Sequence, residues 1–117
     1  MAVLQEVVRG LAARDGVNAV VVVSGDGLPI DQVSRNGLDA DAVAALAASL
    51  AQGARRLGNV VDCHQLTTGV LEFDNHLVIF APLGSDNLLF ILVNPGTNIG
   101  TLLYDLRRHG SSIAELL

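Results

Sequence analysis

The densest group of reactive side chains in this sequence is the run Asp62-Cys63-His64. A cysteine with a histidine nearby can act as a nucleophile with its general base. If the segment is an extended strand, however, Cys63 and His64 point to opposite faces and do not meet. We therefore expect Cys63 to be a buried thiol, and we predict that the chain is not an enzyme.

Metal and phosphate chemistry are predicted to be absent as well. The histidines His64, His76 and His109 lie in separate segments, without the short paired spacings of zinc sites. Residues 95–101 (PGTNIGT) place glycines before a predicted helix, but they lack the lysine of a Walker loop and the G-x-G-x-x-G spacing. We interpret this stretch as a strand-to-helix turn with an N-cap, and we expect no cofactor.

Composition argues against nucleic acid and membrane partners. The 117 residues carry a formal net charge of −5, and only 3% of them are aromatic, so both electrostatic attraction to phosphates and base stacking are disfavoured. The longest apolar runs, such as 19–23 and 88–93, are far shorter than the roughly 20 residues needed to span a bilayer. One cysteine and no signal-peptide pattern at the start favour the cytoplasm.

Two arginine pairs, Arg55-Arg56 and Arg107-Arg108, stand out among the basic residues. Each pair lies near the predicted C-terminus of a helix, where a cation interacts favourably with the helix dipole. Arg55 also has a second interpretation, as a contact to a partner at the rim of an interface. The sequence leaves both interpretations open.

Apolar periodicity and turn residues predict one α+β domain over residues 1–117, in the order α-β-β-α-β-β-β-α with an antiparallel sheet. The strand after Asp26-Gly27 contains Pro29 and should lie at an edge of the sheet, and Gly69 should mark a bulge or bend in the third strand. The predicted helices are 2–14, 39–58 and one that begins after Thr97 or Asn98, and the predicted strands are 17–24, 28–34, 62–73, 76–82 and 87–93.

The central helix carries two stripes of nonpolar residues about 100° apart. One stripe consists of the large residues Val43, Leu46, Leu50 and Leu57. The other stripe consists of Ala40, Ala44, Ala48 and Ala51. We predict that the large residues face the sheet and that the alanines face a second protein, because small side chains allow close approach. The alternative is that alanine is present only as a good helix former.

Three segments together resemble the Roadblock/dynein light-chain domain family, in particular its prokaryotic MglB-like branch. They are residues 19–30 (AVVVVSGDGLPI), 46–54 (LAASLAQGA) and 98–104 (NIGTLLY). The resemblance covers nearly the whole chain and includes no catalytic signature. It implies a five-stranded antiparallel sheet with the central helix on one face and the terminal helices on the other.

The resemblance also implies a function. Members form homodimers or heterodimers through the central helix and the strand after it, and MglB-like proteins bind Ras-like small GTPases. We therefore expect a non-catalytic homodimeric adaptor that modulates the nucleotide cycle or localisation of such a GTPase. The predicted interface residues are Ala40, Ala44, Ala48, Ala51, Arg55, Gln65 and Thr67. The alternative is a small-molecule-sensing or scaffolding module of a signalling complex, which would need a pocket with convergent polar groups.

Overall fold

The computed structural model describes residues 3–35 and 37–115, and it confirms the predicted order α-β-β-α-β-β-β-α. Residue 2, the predicted start of the first helix, lies outside the described residues. The elements are α1 (Val3–Ala12), β1 (Val17–Val23), β2 (Pro29–Ser34), α2 (Ala40–Val60), β3 (Gly69–Glu72), β4 (Leu77–Leu83), β5 (Asn87–Val93) and α3 (Ile99–Glu115).

The five strands form one antiparallel sheet in the order β2-β1-β5-β4-β3. β1 is an inner strand with helices on both sides, which explains its continuous run of apolar residues. Val20 and Val22 pack in the cluster formed with α1 and α3, whereas Val21 and Val23 pack in the cluster formed with α2. The α2 helix therefore covers one face of the sheet, and the terminal helices cover the other, as predicted.

The strand β2 lies at one edge of the sheet, as Pro29 predicted. It follows a tight turn in which Gly27 has a φ of 81°, a backbone conformation that glycine adopts without strain. Asp31 pairs with Val22 of β1, and one oxygen of its carboxylate is buried without a hydrogen-bond partner among the described residues. This edge strand therefore carries an inward-pointing charge near its start.

The third strand is much shorter than the predicted 62–73. Only residues Gly69–Glu72 pair with β4, while residues 63–68 belong to no strand and Asp62 adopts a positive φ of 59°. The predicted bulge at Gly69 is wrong, because Gly69 pairs regularly with Phe80. The aromatic ring of Phe80 occupies the space where a side chain at residue 69 would lie.

The α2 helix begins as predicted, with the Asp39 carboxylate accepting a hydrogen bond from the Ala42 N–H at 3.2 Å. It runs past Gly58, the predicted end, to Val60. The carbonyl of Gly58 then accepts a hydrogen bond from the Cys63 N–H at 2.8 Å, which turns the chain away from the helix axis. Gly58 therefore lies within the last turn and does not terminate the helix.

The predicted orientation of α2 is wrong. Ala44 and Ala51 are 0% and 2% exposed, and they pack with Ala47 against Phe80 and Leu88 of the sheet. Large side chains from the sheet fill most of the layer, so the fully buried positions of α2 are alanines, with Val43 and Leu50 packed at the margin. The alanine stripe therefore holds the helix on its own sheet, whereas the stripe of large residues is divided: Val43 and Leu50 pack at the margin of the core, and Leu46 and Leu57 point outward.

Candidate functional site

The outward face of α2 carries apolar residues at alternating spacings of four and three. We call Leu46, Leu50, Gly53, Leu57 and Val60 the outer stripe. Leu46, Leu57 and Val60 are 71%, 65% and 81% exposed, and Leu50 is half-buried at the margin of the core. The 4-3-4-3 spacing is the heptad pattern by which one helix packs along another. Leu46, Leu50 and Leu57 were predicted to face the core, whereas Val60 lies beyond the predicted end of the helix.

Exposed apolar side chains are also present beyond the helix. Val61, Val70 and Phe73 are also exposed, and Val70 lies on β3, the strand at the second edge of the sheet. Six of the nine exposed large apolar side chains in the described residues lie between Leu46 and Phe73. They do not form one patch, because Val70 pairs with Ile79, which packs with α1 and α3, and Val70 therefore lies on the opposite face of the sheet from α2. The exposed apolar residues on the outward face of α2 are by themselves typical of an interaction site.

The predicted interface residues separate into two groups. Ala40, Ala44 and Ala51 are buried against the sheet, so their side chains cannot contact a partner in this conformation. Ala48 and Arg55 are half-buried, and Gln65 and Thr67 are exposed.

Arg55, Gln65 and Thr67 meet in a cleft of about 830 Å³ at the end of α2. The same cleft is lined by Asn59, His64 and Arg107. The sequence contains no sign that Arg107 and Arg55 line the same cleft, because only the fold brings α3 to this edge of the sheet.

The Cys63 environment differs from the predicted one. Cys63 and His64 are both exposed, so the expected buried thiol is wrong. The strand argument for keeping the two side chains apart does not apply, because this segment is not a strand. The hydrogen bonds of the described residues include none between Cys63 and His64, and the described residues contain no group of three or more potential metal ligands.

The stretch before α3 is a strand-to-helix turn, as predicted. The Asn98 side chain accepts a hydrogen bond from the Gly100 N–H at 3.2 Å, and the Thr97 hydroxyl donates to the Asn94 carbonyl at 2.7 Å. These contacts satisfy polar groups at the start of α3 and in the turn just before it. Within the described part of the chain, no helix is long and apolar enough to cross a membrane.

An antiparallel sheet covered on both faces, with an apolar stripe left outside on its central helix, defines an α+β interaction domain. The chain belongs to the Roadblock/LC7 domain family, whose model matches residues 3–93. This family consists of regulatory and adaptor domains. The sequence has no match among curated proteins.

Several solved structures share the fold. A Roadblock/LC7 domain from Streptomyces avermitilis is 25% identical, with a TM-score of 0.85 over 99% of this chain and 96% of that chain. Myxococcus xanthus MglB is 14% identical, with a TM-score of 0.90 over 99% and 95% of the two chains. An MglB with a tetrameric arrangement is 16% identical, with a TM-score of 0.85 over 96% and 85%.

Proposed function

We propose that the chain is a non-catalytic, cytoplasmic, homodimeric regulator that binds a Ras-like small GTPase and modulates its nucleotide cycle or localisation. The observation that carries this proposal is the outer stripe of α2. Three of its five residues expose most of a large apolar side chain to solvent. Burial of such a side chain stabilises a complex by about 1.5–3 kcal/mol, so binding of a partner to this face would be energetically favourable.

A second copy of the chain fits the outer stripe. Its 4-3 spacing allows two α2 helices to interdigitate side by side, and Gly53 allows the backbones to approach because no other atom lies within 4 Å of the position its Cβ would take. A twofold arrangement places the same stripe on both sides of the interface. The self-assembly of a structurally similar MglB supports association of this kind.

The free edge of β3 provides the other part of the proposed dimer interface. β3 pairs with β4 on one side only, so its other side offers unpaired backbone groups to a second copy. The exposed side chains of Val70 and Phe73 lie on or beside this edge. Pairing of two β3 strands would therefore bury both backbone groups and apolar surface.

The GTPase part of the proposal rests on the family and on the structural likeness to MglB. Two α2 helices packed side by side would form a shared platform for the partner. Of the residues first predicted for this interface, Ala48, Arg55, Gln65 and Thr67 retain accessible side chains and stay in the proposal. Leu46, Leu57 and Val60 replace the buried alanines.

The dimer is tested with Leu46→Arg/Leu57→Arg and light scattering on a sizing column. We expect the wild type at about twice 12.2 kDa and the variant as a monomer, because the interface would bury two unpaired charges from each chain. Leu28→Arg is the matched control, since Leu28 is 60% exposed but lies off α2. A monomeric wild type, or a variant that remains dimeric, would contradict the proposed interface.

GTPase binding is tested by pull-down of a Ras-like small GTPase from the same organism, in its GDP and GTP forms. We expect recovery with the wild type and with Leu28→Arg, and loss with Leu46→Arg/Leu57→Arg. Rates of nucleotide exchange and hydrolysis, measured with and without the chain, separate a regulator from a tether. Equal recovery by all three proteins would exclude the α2 platform as the docking surface.

A further inference from the structure

We propose that the cleft at the end of α2 binds a small organic anion with an aliphatic body, its charged group held between Arg55 and Arg107. This proposal concerns a ligand site within one chain and does not depend on GTPase binding. The cleft has a volume of about 830 Å³, within the range of about 300–1,000 Å³ that is typical of small-molecule sites.

The cleft exists because β3 is short. Pairing between β3 and β4 begins at Gly69 and Phe80, so β4 continues through Ala81–Leu83 without a β3 neighbour. Residues 64–68 pass beside this part of β4 without joining the sheet. The last turns of α2 and the second half of α3 close the remaining sides. Elements from both faces of the sheet therefore meet at one site.

The charge of the lining favours an anion. The chain has 12 acidic and 7 basic residues, yet two arginines line the cleft and none of the described residues that line it is acidic. The ion pair present among the described residues joins Arg14 to Asp105, so neither Arg55 nor Arg107 has a carboxylate partner there. Two guanidinium groups without acidic partners are well suited to bind a carboxylate or a phosphate.

The uncharged residues of the lining indicate the chemical nature of the uncharged part of the ligand. The half-buried Leu66 supplies an aliphatic wall, with the buried Leu83, Leu89 and Leu106 behind it, and Thr67, Thr68 and Ser85 supply hydroxyl groups. Among the described residues that line the cleft, only the exposed His64 carries an aromatic ring, so a nucleotide base would have little surface on which to stack. An alkyl phosphate or alkyl carboxylate therefore matches the lining better than a nucleotide does.

Part of this cleft lies outside the residues that the family model matches. Arg107 and Leu106 lie on α3, beyond residues 3–93 that the family model matches. The cleft thus combines the family's α2 and β4 with a segment outside the matched region. A pocket of this kind is also what a small-molecule-sensing module requires.

The site is tested by titrating the full-length chain with octyl phosphate, and with octanol as the uncharged equivalent, using calorimetry and amide chemical shifts. We expect saturable binding of octyl phosphate, with the largest shifts at Thr67, Thr68 and Gly84, and binding of octanol at least tenfold weaker. Absence of saturable binding, equal binding of octanol, or shifts centred elsewhere would overturn the proposal.

The neighbouring arginines provide a matched charge control. Arg55→Gln/Arg107→Gln should weaken octyl phosphate binding by at least about tenfold, because each arginine supplies charge-assisted hydrogen bonds. Arg56→Gln/Arg108→Gln removes the same charge from residues that do not line the cleft, and it should leave the affinity within about twofold. Equal weakening by the two double variants would show general charge attraction and overturn the site.

Discussion

At the scale of single residues, Gly69 shows how one missing side chain sets the position of a strand. A Cβ at residue 69 would overlap the ring of Phe80, its partner on β4. The ring lies over the glycine and is itself buried beneath α2. The presence of a glycine in a strand was visible in the sequence, but its partner was not, because pairing register depends on the rest of the sheet.

Gly69→Val should therefore destabilise the chain. The added side chain forces Phe80 or the strand to move, which we expect to lower the free energy of unfolding by about 1–3 kcal/mol. Urea denaturation measures this change. Gly10→Ala is the control, because a Cβ at residue 10 of α1 meets nothing within 4 Å and alanine favours the helix by about 0.5–1 kcal/mol. A neutral Gly69→Val would mean that the ring does not occupy this space.

At the scale of elements, α2 shows what hydrophobic periodicity can and cannot establish. The two stripes, the Asp39 cap and the approximate ends of the helix were predictable from residue types. The choice of stripe that faces the sheet was not, because it depends on the size of side chains on other strands. Phe80 and Leu88 fill most of the layer beneath the helix, so alanines occupy its fully buried positions and Leu50 packs only at its margin.

Ala44→Leu tests this orientation of α2. Three extra carbons at a position with no exposed surface should lower the free energy of unfolding by about 2–3 kcal/mol. Ala45→Leu makes the same change at the next residue, which is exposed, and should alter stability by less than about 0.5 kcal/mol. Similar effects at the two positions would restore the original prediction that the alanine stripe faces outward.

At the scale of the whole molecule, the order of elements was predictable because strands, turns and helices each left a local pattern. The candidate site was less accessible to such reasoning. The 4-3 spacing of the outer stripe was present in the sequence. The placement of Arg55 and Arg107 in one cleft, however, could be predicted only from the sheet order and the short length of β3. Contacts between distant segments leave no periodic signal in either segment.

The sheet order also predicts which backbone amides exchange most rapidly with solvent. β1 and β5 are flanked by strands on both sides, whereas residues 64–67 belong to no strand. Amide hydrogens of residues 20–23 and 89–91 should therefore exchange at least about a thousandfold more slowly than those of 64–67. Hydrogen exchange followed by NMR measures both groups. Comparable protection in 64–67 would indicate that this segment pairs with β4 in solution and closes the cleft.

The edge strand β2 has a consequence for the size of any assembly. Two chains joined along β3 would share one extended sheet with a β2 strand at each end. Pro29 offers no N–H for a further strand there, and Asp31 points a carboxylate inward beside β1. Both are devices that discourage additional strands from joining an edge. Assembly by strand addition would then stop at two chains. Although each chain has two edge strands, β2 and β3, it would not polymerise into a fibre.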